Sequence, residues 1–189
     1  MSSQTFSNTG IGGDLRALRK SRNMTLDHVA GKLEKSVGWL SQVERGISQP
    51  NTTDVQALAE LYNVPVSILF ASTGQPAAEQ GRVVRSGDRR RIGHRANGLV
   101  EELLSPDLTD SFEVIHSTFE PRSGLVTAKQ RHTEEIGYIL SGRLVIYMGD
   151  DRFELKRGDS FRIRNEPYRW ENPYNMPAVA LWVIAPPVY

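Results

Sequence analysis

Apolar residues recur every three or four positions up to about residue 70, and every second position in the segments beyond residue 112. The first period belongs to helices with one buried face and the second to strands with one buried face, so two kinds of structure share this chain. Between them, residues 71–81 read Ala-Ser-Thr-Gly-Gln-Pro-Ala-Ala-Glu-Gln-Gly, which has neither period and is rich in small residues, as a linker is. A chain of 189 residues is long enough for two small domains. The expected architecture is α+β and multidomain: a disordered polar tail over 1–10, a five-helix bundle over 11–70, a linker over 71–82 and an all-β barrel over 83–189.

In the helical part, Leu15, Leu18 and Arg19 mark one helix, and Thr25 caps a second that runs through Leu26, Val29, Ala30 and Leu33. The three-residue turn Leu33-Glu34-Lys35 sets the next helix steeply across it. That third helix is Ser36-Val-Gly-Trp-Leu-Ser-Gln-Val-Glu-Arg-Gly46. Ser36 can accept a bond from a free amide, Leu40 and Val43 form an apolar i,i+3 pair, and Gly46 ends the helix after Arg45. Val37, Gly38, Ser41 and Gln42 are left on its outer face. Small and amide side chains let a backbone approach base edges closely, which is what a helix entering the DNA major groove needs. Asn51 or Thr52 caps a fourth helix with Val55, Leu58, Ala59 and Leu61, and a fifth carries Ile68, Leu69 and Phe70.

Thr25 to Gly46, followed by Pro50-Asn51-Thr52, resembles the helix-turn-helix domain of the xenobiotic-response-element and phage-repressor family, over residues 11–70. Leu-Ser-Gln-Val-Glu-Arg-Gly is the specific string. The resemblance implies that Val37, Gly38, Ser41 and Gln42 face bases, that Trp39 and Arg45 lie near the DNA backbone, and that Thr25 and Thr52 offer hydroxyls and amides to phosphates. Ser36 completes this expected DNA-binding set. Gln42 is the expected base contact, because its amide can pair bidentately with adenine. Trp39 is equally a packing residue, and a helical protein-interaction module is the alternative to DNA binding.

The chain has no cysteine, which removes disulfides, thiolate nucleophiles and cysteine-type zinc sites together. No run of eighteen apolar residues is present and the start lacks an apolar signal segment, so a cytoplasmic protein without a membrane span is expected. Net charge is +1, yet residues 82–95 hold six arginines against the single acid Asp88. That run is either a positive surface near the DNA module or a solvated connection between domains. The helix-turn-helix itself is only slightly basic, so a lone copy would hold DNA weakly and a homodimer is expected to add phosphate contacts.

Two strings in the β part resemble the paired motifs of the cupin superfamily, a double-stranded β-helix that often holds a metal. The first is Lys129-Gln-Arg-His-Thr-Glu-Glu-Ile-Gly-Tyr-Ile-Leu-Ser-Gly142, with Glu135 at the carboxylate position. The second is Gly158-Asp-Ser-Phe-Arg-Ile-Arg-Asn-Glu-Pro-Tyr-Arg-Trp-Glu-Asn172. Metal-binding members place two histidines where this chain has Lys129 and Arg131, and a third where it has Tyr168. Ammonium and guanidinium groups have no lone pair to donate, so neither a metal nor any other cofactor is expected. An alternative set of His116, His132 and Glu135 would make the chain a metal-dependent cupin enzyme; His28 and His94 have no ligand spacing.

Lys129 and Arg131 share parity and would both point into the barrel if the strand is regular. Buried cations need anions. Glu135 can balance one; the other, with Tyr168 and with Tyr138, Trp170 or Trp182, would suit the carboxylate, sulfonate or phosphate of a small ligand. Internal salt bridges or solvent exposure of the two cations is the other reading. No Gly-rich phosphate loop, Gly-x-Ser-x-Gly elbow or His-Glu-x-x-His helix is present. The whole chain thus reads as a transcriptional regulator and not an enzyme. It is expected to be a dimeric repressor of a double-stranded DNA operator, with a small anionic effector in the barrel and an interface at barrel edge strands and the arginine-rich segment.

Overall fold

The computed structural model describes residues 9–69, 76, 78, 79, 81–92 and 98–188. Phe70, His94, Arg95 and most of the expected tail lie outside them. By contacts the chain divides into a helical unit, which runs to Arg90 and includes Pro106–Thr109, and a β unit of Arg91–Ser105 and Asp110–Val188. Segment 83–90, expected at the start of the barrel domain, groups with the helices.

The helical unit contains α1 (Thr9–Ser21), α2 (Leu26–Lys32), α3 (Val37–Glu44), α4 (Thr52–Leu61) and α5 (Val66–Leu69). The first starts inside the stretch expected as tail. Each inner helix begins on a side chain that accepts one of its free amides. Thr25 accepts from His28 N at 3.1 Å, Ser36 from Trp39 N at 3.0 Å, and Asn51 forms a capping box with Asp54. Glu34, at φ 54°, makes the sharp turn between α2 and α3, and Gly46, at φ 70°, lets the chain leave α3. Leu15, Leu18, Val29, Leu40, Val43, Leu58 and Ile68 are fully buried or nearly so and form the core.

Two contacts fix α3 against α1. A Cβ on Gly12 would lie 2.5 Å from the Val43 carbonyl oxygen, so the helices approach as closely as they do only with glycine there. Glu44 sits in the fork of Arg19, with Nε to Oε1 at 2.6 Å and Nη2 to Oε2 at 2.9 Å, a bidentate pair shielded from water. Elsewhere in this unit Asp14 is wholly buried. Its Oδ2 lies 2.5 Å from Arg90 Nη1 and its Oδ1 accepts from Leu108 N at 2.8 Å. Arg90 also donates to the Ile68 and Pro106 carbonyls, at 3.0 and 3.3 Å.

The β unit has two antiparallel sheets. One has the order β1 (Arg90–Ile92), β2 (Leu99–Leu103), β3 (Glu113–Phe119), β10 (Ala178–Ala185), β5 (Glu134–Ser141), β8 (Ser160–Arg164). The other has the order β4 (Ser123–Gly124), β9 (Tyr168–Asn172), β6 (Arg143–Met148), β7 (Asp151–Lys156). Strict alternation of buried and outward residues along β3, β5, β9 and β10 defines the interior, where Phe119, Ile139, Leu144, Ile146, Trp170 and Trp182 pack. Gly137 lies under the Phe161 ring, whose Cζ would be 2.1 Å from any Cβ. Ser123 and Gly124 form a short strand paired with Asn172 and Glu171.

Candidate functional site

The exposed surface of α3 carries the side chains expected there. Val37 is 41% exposed, Gly38 and Gln42 are exposed, and Ser41 is half-buried. Nothing but the Ser36 hydroxyl comes within 4 Å of a Cβ built on Gly38, so this turn of backbone is open to a partner. Trp39 is half-buried beneath the Lys35 ammonium, 5.1 Å from the ring centre, and Lys35 in turn pairs with Asp54 at 3.0 Å. Arg45 is exposed but returns its Nε to the Ser41 carbonyl at 3.2 Å. Thr25 and Thr52 are exposed at the starts of α2 and α4. Of the arginine run, Arg85 is engaged by Glu79, with Nη2 to Oε1 at 2.5 Å, and Arg90 by Asp14.

The second candidate site is a cavity of about 30 Å³ inside the β unit. It brings together six of the seven expected ligand residues: Lys129, Arg131, Glu135, Tyr168, Trp170 and Trp182. Tyr138 is the correction. Glu135, Gly137 and Ile139 point inward along β5, so Tyr138 points outward and is 43% exposed. Glu135 is also placed differently from expectation. Three neutral donors hold it: Thr133 Oγ1 and Trp182 Nε1, each at 2.7 Å, and Tyr168 Oη at 3.4 Å. Neither Lys129 nor Arg131 makes a side-chain hydrogen bond or an ion pair within 4 Å among the described residues. Lys129 is exposed and Arg131 half-buried.

Sequence reasoning gave three further residues no part in this site. Glu101 on β2 and Ser117 on β3 are cross-strand partners that both line the cavity. Burial pushes the Glu101 carboxyl up, with Arg131 and Lys129 opposing. Glu113, at the start of β3 and 1% exposed, accepts from Val188 N at 3.3 Å, while its Oε2 has no hydrogen-bond partner among the described residues. Burial pushes its pKa up to about 7, with the Val188 amide and Arg131 opposing. Burial likewise pushes the Tyr168 phenol up, against Arg131 and with the help of Glu135 and Glu101. The signal was the inward parity of Glu113 and Glu101 with Ile115 and Leu103.

A carboxyl whose folded pKa exceeds its unfolded value of 4.5 contributes stability that is fully present below pH 4.5 and lost as pH rises through about 7. Glu113→Gln is therefore expected to stabilise the protein by on the order of 2 kcal/mol at pH 8 and by little at pH 4.5. Urea denaturation at the two values measures this, and equal effects at both would contradict the assignment.

The donors at the usual cupin metal position do not fit a metal. Two cationic side chains occupy it, and the Tyr168 hydroxyl and Trp182 N–H are spent on Glu135. Nor are the alternative ligands gathered. His116 points to the outer side of β3, 3.8 Å from Glu102, and His132 is exposed, while Glu135 faces inward. Among the described residues no three His, Asp or Glu side chains form a set able to hold a metal ion.

A capped helix with an open, small-residue face in one unit, and two antiparallel sheets around a cavity in the other, fit a DNA-binding regulator with a cupin domain. Residues 11–67 match the family described as helix-turn-helix domain, and residues 115–184 match the cupin domain. Transcriptional regulator ClgR of Mycobacterium tuberculosis is 32% identical over 76 residues, which are 40% of this chain and 68% of that protein. HTH-type transcriptional regulator DdrOP3 of Deinococcus deserti is 40% identical over 56 residues, 30% of this chain and 43% of its own. A solved HTH_3 family transcriptional regulator from Vibrio cholerae aligns over 97% of this chain and 98% of its own, at 21% identity and a TM-score of 0.43. The chain belongs to the helix-turn-helix transcriptional regulators of the xenobiotic-response-element type, with a cupin domain after the DNA-binding one. Among the described residues no helix is long and apolar enough to cross a membrane.

Proposed function

We propose that this DNA-binding regulator is a homodimeric repressor whose barrel senses a small molecule bearing an anionic group and carries out no catalysis. Two copies of α3 address half-sites about one helical turn apart, with Gln42 and Ser41 on base edges, Val37 and Gly38 against the groove, and Thr25, Thr52 and Arg45 on phosphates. Occupancy of the barrel shifts the pair between states of different operator affinity, by as much as the effector distinguishes them. For the dimer, the outer face of the large sheet offers more than the strand edges do. Ile136, Tyr138 and Leu140 are 53%, 43% and 40% exposed there, and Tyr138 lies directly across from Leu181 of β10. An apolar row of this kind on a protein that needs a twin is what a second copy would cover.

The observation that carries the sensing role is the pair Lys129 and Arg131, whose charged heads line a cavity walled by aromatic rings and make no ion pair within 4 Å among the described residues. A carboxylate seated there gains a bidentate fork from arginine and a point charge from lysine. A thermal-shift screen of small acids against the wild type and Arg131→Ala tests it. At least one anionic compound is expected to raise the melting temperature of the wild type by several degrees and that of the variant by much less. If no compound separates the two proteins, the sensing role is wrong.

A further inference from the structure

The cavity carries more charge than an anion alone would use. Its cationic side is Lys129 and Arg131, from the segment before β5. Its lining also includes a carboxylate and a hydroxyl that can meet a cation. Glu101 and Ser117 sit across from each other on β2 and β3, and the Glu101 side chain makes no hydrogen bond or ion pair within 4 Å among the described residues. Glu135, by contrast, is already held by Thr133, Tyr168 and Trp182, so it is committed to the protein. A plain carboxylate entering this space would answer the two cations but bring a like charge towards Glu101, in surroundings where burial already disfavours its ionised form.

We infer that the small molecule taken by the barrel is a short zwitterion, its carboxylate held by Arg131 and Lys129 and its ammonium by Glu101 with Ser117. This rests on the sensing role proposed above and narrows it. An ammonium group supplies what Glu101 lacks, a cation at hydrogen-bond range in place of two cations further away, and it leaves the cavity close to neutral when filled. Size points the same way. A cavity of about 30 Å³ has room for roughly two water molecules, so the occupant has few heavy atoms or enters as the exposed Lys129 swings aside. A short amino acid meets both demands.

Isothermal titration of the full-length protein with three matched series tests the inference: glycine, β-alanine and 4-aminobutyrate; acetate, propionate and butyrate; and the corresponding primary amines. The expected result is that at least one amino acid binds at least tenfold more tightly than the acid and the amine of the same chain length. Glu101→Gln is expected to erase that preference, so that the plain acid binds as tightly as the amino acid, and Arg131→Ala to lose both. If a plain acid binds the wild type as tightly as its amino-acid counterpart, the zwitterion is wrong while an anion-sensing barrel survives. If no member of any series binds either the wild type or Glu101→Gln, both readings fall.

Discussion

Replacing Gln42 by Glu is expected to lower operator affinity at least about thirtyfold without moving the melting temperature. Gln42 is exposed on α3, and its backbone carbonyl, which accepts from Ile47 and Ser48 at 2.9 and 3.2 Å, is untouched by the change. The new carboxylate can accept but not donate, so it loses the donation to adenine N7 that makes the pairing bidentate, faces guanine and thymine acceptors without a donor, and meets phosphates with a like charge. A lost base contact is worth about 1–3 kcal/mol per half-site, and two half-sites double it. Fluorescence anisotropy with a labelled operator duplex measures the affinity, and a thermal melt of the same preparation shows the fold intact. Unchanged affinity would mean that α3 is not the reading helix.

Asp14→Ala is expected to be the most destabilising single change in the helical unit, by about 3–5 kcal/mol, because it leaves a buried guanidinium without a counter-charge and a buried amide without an acceptor. Arg90 is 8% exposed and, among the described residues, keeps only the Ile68 and Pro106 carbonyls once Asp14 is gone, while Leu108 N loses its 2.8 Å bond. The pair itself contributes far less than that figure, since burial pushes the Asp14 carboxyl up despite Arg90 and the Leu108 amide pulling it down. Replacing both partners with apolar residues of similar size is therefore expected to cost much less than removing either one. Urea denaturation of the single and double variants checks this. A double variant as unstable as the sum of the singles would show that the two side chains act independently.

What could be read from sequence was local. Thr25, Ser36 and Asn51 each bond an amide three residues on, and Gly46 sits where α3 stops, so the helical part declares its own ends. The long strands β3, β5 and β10 alternate in plain view. By contrast, β2, Leu-Val-Glu-Glu-Leu, buries only Leu103 fully and shows no clean alternation, so nothing in it tells which of Glu101 and Glu102 faces the cavity. β9 hides similarly, because charged Arg169 and Glu171 separate the inward Tyr168, Trp170 and Asn172. Asp14 and Arg90 are 76 positions apart, and nothing in either neighbourhood points to the other. Tyr138 was misplaced for a different reason. An aromatic near Glu135 looked like cavity lining, although an odd number of steps along a strand puts it on the opposite face.

The central claim, that paired copies of α3 read duplex DNA, is tested most directly by selecting bound fragments from a random duplex library with the full-length protein and with Gln42→Glu. The account predicts that the wild type enriches a two-fold symmetric sequence with half-sites about one helical turn apart, and that the variant enriches none or a different one. Identical enrichment by both proteins, or none by the wild type at low salt, would contradict it.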